Sequence, residues 1–148
     1  MDIAVQLHHP RWKTLLRPYC KTVREACQAA LAATRQKGEI AVVLADDAFV
    51  RDLNKTYRGR DKPTNVLSFP GDGDYLGDII LALETVEREA REQGKTARDH
   101  AKHLLVHGTL HLLGYDHERE GEARRMEALE IKILRNLSVA NPYLSDAP

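Results

Sequence analysis

Residues 96–117 read TARDHAKHLLVHGTLHLLGYDH, with His100, His103, His107 and His111 spaced by three and four. On a helix turning about 100° per residue, those spacings put all four imidazoles on one narrow stripe. Ala101, Leu105 and Leu112 fall on the opposite face, and Leu104, Val106, Leu110 and Leu113 lie along the flanks. Such a helix is apolar nearly all round and is expected to be buried. Thr96 with Asp99 three residues on resembles a capping box. Gly114 is placed as the residue just past the helix end, so the spacing predicts a helix from Thr96 to about Leu113. Imidazoles on a buried helix need partners.

Metal coordination supplies such partners. Histidines at i and i+4 present nitrogens to one ion from the same face, which His107 and His111 satisfy. Gly114 permits a left-handed reversal that brings His117 back toward the same ion. Three neutral imidazoles and one open position make a catalytic rather than a structural zinc arrangement, with water as the nucleophile. The full H-x3-H-x2-G-x2-H spacing matches the histidine and glycine positions of the metzincin pattern. Gly108 stands where those proteases carry their general-base glutamate, which argues against a peptidase. His100 and His103 are read as outer partners or substrate contacts, with His100 expected at the surface.

Working outward, the chain alternates strand and helix signals. Ile3, Val5 and Leu7 suggest an opening strand, and Ile40–Leu44 a short buried one. Between them the helical spacing of Val23, Ala26, Cys27, Ala30 and Leu31 predicts a helix from about Leu15 to Arg35, stopped by Gly38. Asp46 or Asp47 caps a helix carrying Phe49, Val50, Leu53 and Tyr57. Arg58 to Thr64 is a loop, Val66–Phe69 and Asp78–Leu83 are strands, and Glu84–Gln93 is a helix. A last helix carries Met126, Leu129, Ile133 and Leu137 on one stripe. This order predicts α+β architecture: one small mixed β-sheet packed with several helices, including a zincin-like metal-binding helix, in a single domain over residues 1–148.

The chain has 148 residues, 22 basic and 22 acidic side chains, and 43% apolar residues. That is ordinary globular composition. A neutral chain holds nucleic acid only through a local basic patch. Cys20 and Cys27 are seven apart on a helix, about 10.5 Å along its axis, too far for a disulfide. With no signal peptide and no membrane-length apolar run, a reducing, cytoplasmic setting is expected.

Three blocks carry a family likeness. His107-Gly-Thr-Leu-His-Leu-Leu-Gly-Tyr-Asp-His117 closely resembles the signature of the bacterial YbeY family of metal-dependent endoribonucleases. The run Leu53 to Pro70 and the segment Leu76-Gly77-Asp78-Ile79 agree with it, so the resemblance spans roughly residues 40–135. Asn65 departs from the family pattern, where many members have aspartate. The resemblance implies a zincin-like fold, one zinc ion on His107, His111 and His117, and an arginine corresponding to Arg58 at the catalytic centre. It also implies cleavage of single-stranded regions of ribosomal RNA, a part in 16S ribosomal RNA 3′-end maturation and ribosome quality control, and contact with the small ribosomal subunit or its proteins.

The residues around Arg58 are compatible with that. Lys55, Arg58, Arg60 and Lys62 form a basic cluster in a neutral chain, either a solvated loop or a grip on phosphate. Tyr57 and Phe69 offer rings on which unpaired bases can stack. Ser68 and Asp78 line the cleft or close turns, and Asp116 is a candidate to orient an imidazole. A zincin-like peptidase or amidohydrolase, and a metal-stabilised ribosome-assembly factor without catalysis, are the competing expectations.

Overall fold

The computed structural model describes residues 2–59, 64–115 and 120–143. Four strands form one sheet in the order β1-β2-β4-β3, with β1 at Ile3–Leu7, β2 at Glu39–Ala45, β3 at Val66–Pro70 and β4 at Tyr75–Ala82. β1, β2 and β4 run parallel, and β3 pairs antiparallel with β4, so the sheet is mixed as expected. The helices are α1 (Arg11–Leu15), α2 (Tyr19–Thr34), α3 (Asp47–Arg58), α4 (Leu83–Glu92), α5 (Ala97–Leu112) and α6 (Glu120–Asn136).

Strand alternation sorts side chains between two apolar layers. Ile40, Val42 and Leu44 of β2 and Ile79 and Leu81 of β4 join the larger core, with α2, α5 and α6. Ala45, Leu67, Ile80 and Ala82 point the other way, into a smaller layer with Val50 of α3 and the half-buried Val43, Phe49, Leu53 and Phe69. The unbroken apolar run of β2 follows from this, because a strand covered on both faces has no wet side. Helix α5 packs against α2, α4 and α6 and against β3 and β4. Its all-round apolar character has the same cause.

One helix boundary and one helix stop differ from the expectation. The first helical region is two helices, α1 and α2, with Pro18 between them. Helix α2 ends before Gly38: Arg35 takes the left-handed conformation at φ 55°, and its N–H reaches Ala32 O. Gly38 (φ 155°) instead lies against Leu76, where a Cβ would meet the leucine side chain. Strand β4 starts three residues earlier than expected, because Gly77 and Asp78 obscure its apolar pattern.

The two candidate caps of α3 divide the work. Asp46 accepts from Phe49 N at 2.9 Å as the N-cap. Asp47 reaches across to α4, accepting from Thr85 N and Thr85 Oγ1, both at 2.9 Å, while its own N–H donates to Glu84 at 2.9 Å. Helix α4 has no cap from its own N-cap residue, Ala82, so Asp47 serves in its place. Asp47→Ala is expected to cost about 1–2 kcal/mol. Denaturant unfolding measures it, and a change under about 0.3 kcal/mol would contradict the shared cap.

Candidate metal centre

The site is built on the last two turns of α5. Thr96 Oγ1 accepts from Asp99 N at 3.0 Å and opens the helix, so the side-chain cap is present as read. At the other end Gly114 has φ 96°, Gly114 N–H donates to His111 O and Tyr115 N–H to Leu110 O, both at 3.0 Å. That pair of bonds is the Schellman closure, which ends the helix on a left-handed glycine. Within the last turns, His107 Nε2 and His111 Nε2 stand 3.1 Å apart. Two nitrogens on one tetrahedral ion, each about 2.0–2.1 Å from it, are separated by roughly 3.3 Å. The imidazole pair therefore already has close to the spacing of two ligands on one zinc.

Behind that pair lies a carboxylate. Glu130 comes from α6 and is 1% exposed. Its Oε1 is 3.1 Å from His107 Nδ1, and its Oε2 is 2.7 Å from His103 Nε2 and 2.9 Å from the Tyr143 hydroxyl that donates to it. Burial pushes the carboxyl's pKa up, but hydrogen bonds from His103 and His107 and the nearby imidazole charge outweigh it and bring it down to about 2. An ionised carboxylate only accepts, so each facing imidazole nitrogen carries its proton. In the neutral His107 ring that leaves Nε2 as the lone-pair nitrogen, on the side facing His111.

Two donor sets thus share His107. One is His107 and His111, on the cleft. The other is His103, His107 and Glu130, whose ligand atoms lie within 4.8 Å of one another and can also hold a metal ion. His117 and Asp116 lie outside the described residues.

The cleft beside the imidazole pair has a volume of about 690 Å³ and is bordered by Arg58, Asn65, Ser68, His107, His111 and Tyr115. Arg58 is the last residue of α3, and Gly59 ends the helix with φ 66°. The Arg58 guanidinium donates to Ser68 O at 3.1 Å and sits 5.5 Å from the centre of the Phe69 ring. Arg58 and the two imidazoles, far apart in sequence, therefore border one cavity.

The family model described as Endoribonuclease YbeY matches residues 5–138. The chain belongs to the YbeY family. A Rhizobium etli relative named endoribonuclease YbeY is 45% identical, with 97% of this chain and 93% of that protein covered. A Methylocella silvestris relative of the same name is 54% identical over 72% of this chain and 64% of its own length. The solution structure of a Thermotoga maritima protein aligns over 97% of both chains with TM-score 0.60 at 26% identity.

In this YbeY-family chain, Gly108 is a packing residue. A Cβ there would lie 3.2 Å from both Ile79 Cγ2 and Ser68 Oγ, so α5 rests directly on β3 and β4. His100, expected at the surface, is 3% exposed. Its Nε2 meets Glu89 Oε1 at 2.8 Å, and the same oxygen accepts from Asn65 Nδ2 at 3.0 Å. Burial pulls the His100 pKa down despite Glu89. His100 thus helps anchor Asn65 at the cleft border. Tyr57 is 69% exposed and meets Phe69 edge-on, whereas Phe69 is half-buried in the layer beneath α3. Only Tyr57 offers an open ring. Ser68 borders the cleft, and Asp78 hydrogen-bonds with the Tyr75 hydroxyl.

Sequence reading missed Glu130 and Tyr143. Glu130 does leave a trace: it follows Met126 by four and precedes Ile133 by three, which places a charge on the buried stripe of α6. No helix among the described residues is long and apolar enough to cross a membrane.

Proposed function

We propose that this chain is a single-domain, zinc-dependent endoribonuclease that cuts single-stranded regions of ribosomal RNA, acting in 16S 3′-end maturation and ribosome quality control. One zinc ion is held by His107, His111 and His117. The observation that carries this reading is the meeting of the His107–His111 pair and Arg58 on one cleft. When bound, zinc supplies Lewis acidity to a phosphoryl group and makes water a stronger acid.

The chain's own residues do the rest. Cleaving a phosphodiester concentrates negative charge on the non-bridging oxygens, and a guanidinium fork fixed beside the metal meets that charge. The Ser68 carbonyl and the Phe69 ring hold Arg58 in place, so little ordering remains to be done when substrate arrives. Tyr57 offers an exposed ring next to Arg58 on which an unpaired base can stack. The cytoplasm is the compartment where such a substrate is made. A peptidase is disfavoured because position 108 carries no glutamate to serve as general base, and a Cβ there would already lie 3.2 Å from Ile79 Cγ2 and Ser68 Oγ.

The test is cleavage by highly purified wild-type chain of a single-stranded RNA, a duplex of the same sequence and an unstructured peptide. Cutting of the single strand alone, stopped by a chelator and restored by zinc, is the expected result. Cutting of the peptide alone would reverse the substrate class. Zinc binding with no cleavage of any substrate would favour a non-catalytic assembly factor instead.

A further inference from the structure

The second donor set needs its own explanation, because Glu130, His103 and Tyr143 form no part of the ligand set just described. Three donors converge on one almost fully buried carboxylate: His107 Nδ1 at 3.1 Å, His103 Nε2 at 2.7 Å and Tyr143 Oη at 2.9 Å. A buried carboxylate is tolerated only when its lone pairs are used in this way. His103 Nδ1 is buried with no hydrogen-bond partner among the described residues, which agrees with the His103 proton residing on Nε2 and pointing at Glu130. The assembly joins α5, α6 and the segment after α6, and it ends on the one nitrogen of His107 that does not face His111.

We propose that Glu130 is a positioning residue for the metal: it accepts the Nδ1 hydrogen of His107, so that His107 Nε2 presents its lone pair to the ion, while His103 and Tyr143 hold the carboxylate in place. This rests on the assignment of the ion to the His107–His111 side of the ring. The carboxylate fixes the tautomer and the ring plane of the ligand before metal arrives. It also makes the imidazole a more basic donor and places a negative charge behind a divalent cation. His107 is thereby the ligand whose orientation is set in advance. Tyr143 extends the effect to the chain past α6, so that residues distant in sequence from α5 govern metal affinity.

The alternative use of the same atoms is direct ligation by His103, His107 and Glu130. The hydrogen bonds argue against it, because a metal there would have to replace the protons that His103 and His107 give to a carboxylate they already satisfy. His107 Nε2 would then face His111 with no ion between them.

The experiment measures zinc affinity of the purified full chain by competition with a chromophoric chelator. It compares Glu130→Ala, Glu130→Gln, Tyr143→Phe and His111→Ala, each at a temperature where circular dichroism shows it folded. Glu130→Ala is expected to weaken zinc binding by about 10–100-fold. Glu130→Gln retains an oxygen that accepts from His107 Nδ1, so it is expected to recover most of that loss. Tyr143→Phe removes one of the carboxylate's three donors and is expected to fall between wild type and Glu130→Ala. The cobalt(II)-substituted protein should keep its four-coordinate visible absorption in Glu130→Gln.

Folded Glu130→Ala and Glu130→Gln with wild-type zinc affinity would overturn the proposal and leave Glu130 a core residue. Loss of all zinc binding in both, with His111→Ala unaffected, would also overturn it and make Glu130 a direct ligand. That second pattern would refute the His107–His111 assignment as well, whereas the first would leave it standing. Should Glu130→Ala fail to fold, Tyr143→Phe still decides: a wild-type zinc affinity there refutes the positioning role, since Glu130→Gln stays near wild type under the proposal.

Discussion

His111→Ala is expected to empty the metal centre and lower RNA cleavage at least about a thousandfold. The reasoning runs through geometry. Among the described residues, His107 and His111 are the imidazoles whose nitrogens, 3.1 Å apart, already lie at the separation of ligands on one tetrahedral ion. Removing His111 leaves His107 oriented but without its neighbour, and an ion held by fewer nitrogens exchanges readily with solvent and chelators. The fold should survive. His111 is half-buried on the last turn of α5, and that turn is closed by backbone bonds from Gly114 and Tyr115 rather than by the ring. Metal content by elemental analysis, circular dichroism and cleavage of single-stranded RNA are the three readings. A folded, metal-free His111→Ala chain that still cuts at the wild-type rate would remove the metal from the chemistry.

Arg58→Ala should separate charge stabilisation from metal binding. Cleavage is expected to fall about 10²–10³-fold, the usual cost of removing one preorganised donor from a developing oxyanion, while zinc content stays at the wild-type level. The distinction follows from placement: Arg58 borders the same cleft as the imidazoles, but its hydrogen-bond partner is the Ser68 carbonyl. Arg58→Lys is expected to restore only part of the rate. An ammonium cannot hold the Ser68 carbonyl and a phosphate with one planar fork, and it lies less well over the Phe69 ring. Zinc loss in Arg58→Ala would show that the arginine supports the metal site instead.

What the sequence revealed about this centre was what a single helix encodes. The i, i+4 spacing of His107 and His111 fixes their relation wherever α5 packs, and Gly114 announces the reversal that follows. The mixed sheet was readable for a similar reason, since β1, β2 and β3 carry period-two or continuous apolar runs. Properties that depend on packing between elements were hidden. His100 reads as a surface residue until α4 sets Glu89 against it. Glu130 lies 23 residues beyond His107, and only the docking of α6 on α5 brings the two together. The end of α2 near Arg35 was legible, but its stop was assigned to Gly38 when a left-handed arginine three residues earlier closes the helix.

The outer strand of the sheet has a bearing on substrate choice that goes beyond the metal. β3 is an edge strand, and its inward backbone groups are engaged: Asn65 O accepts from Ala82 N, and Gly71 N donates to Leu76 O. The groups of Val66, Ser68 and Pro70 alternate to the opposite side, where no strand among the described residues pairs with them. That rail is where an extended polypeptide would add itself as a fifth strand beside the cleft. Arg58 occupies the Ser68 carbonyl, and Pro70 has no N–H to give. The register a peptide needs is interrupted at two successive outward positions. On the proposed reading, the contact that interrupts this rail is the same one that aims the Arg58 guanidinium at phosphate.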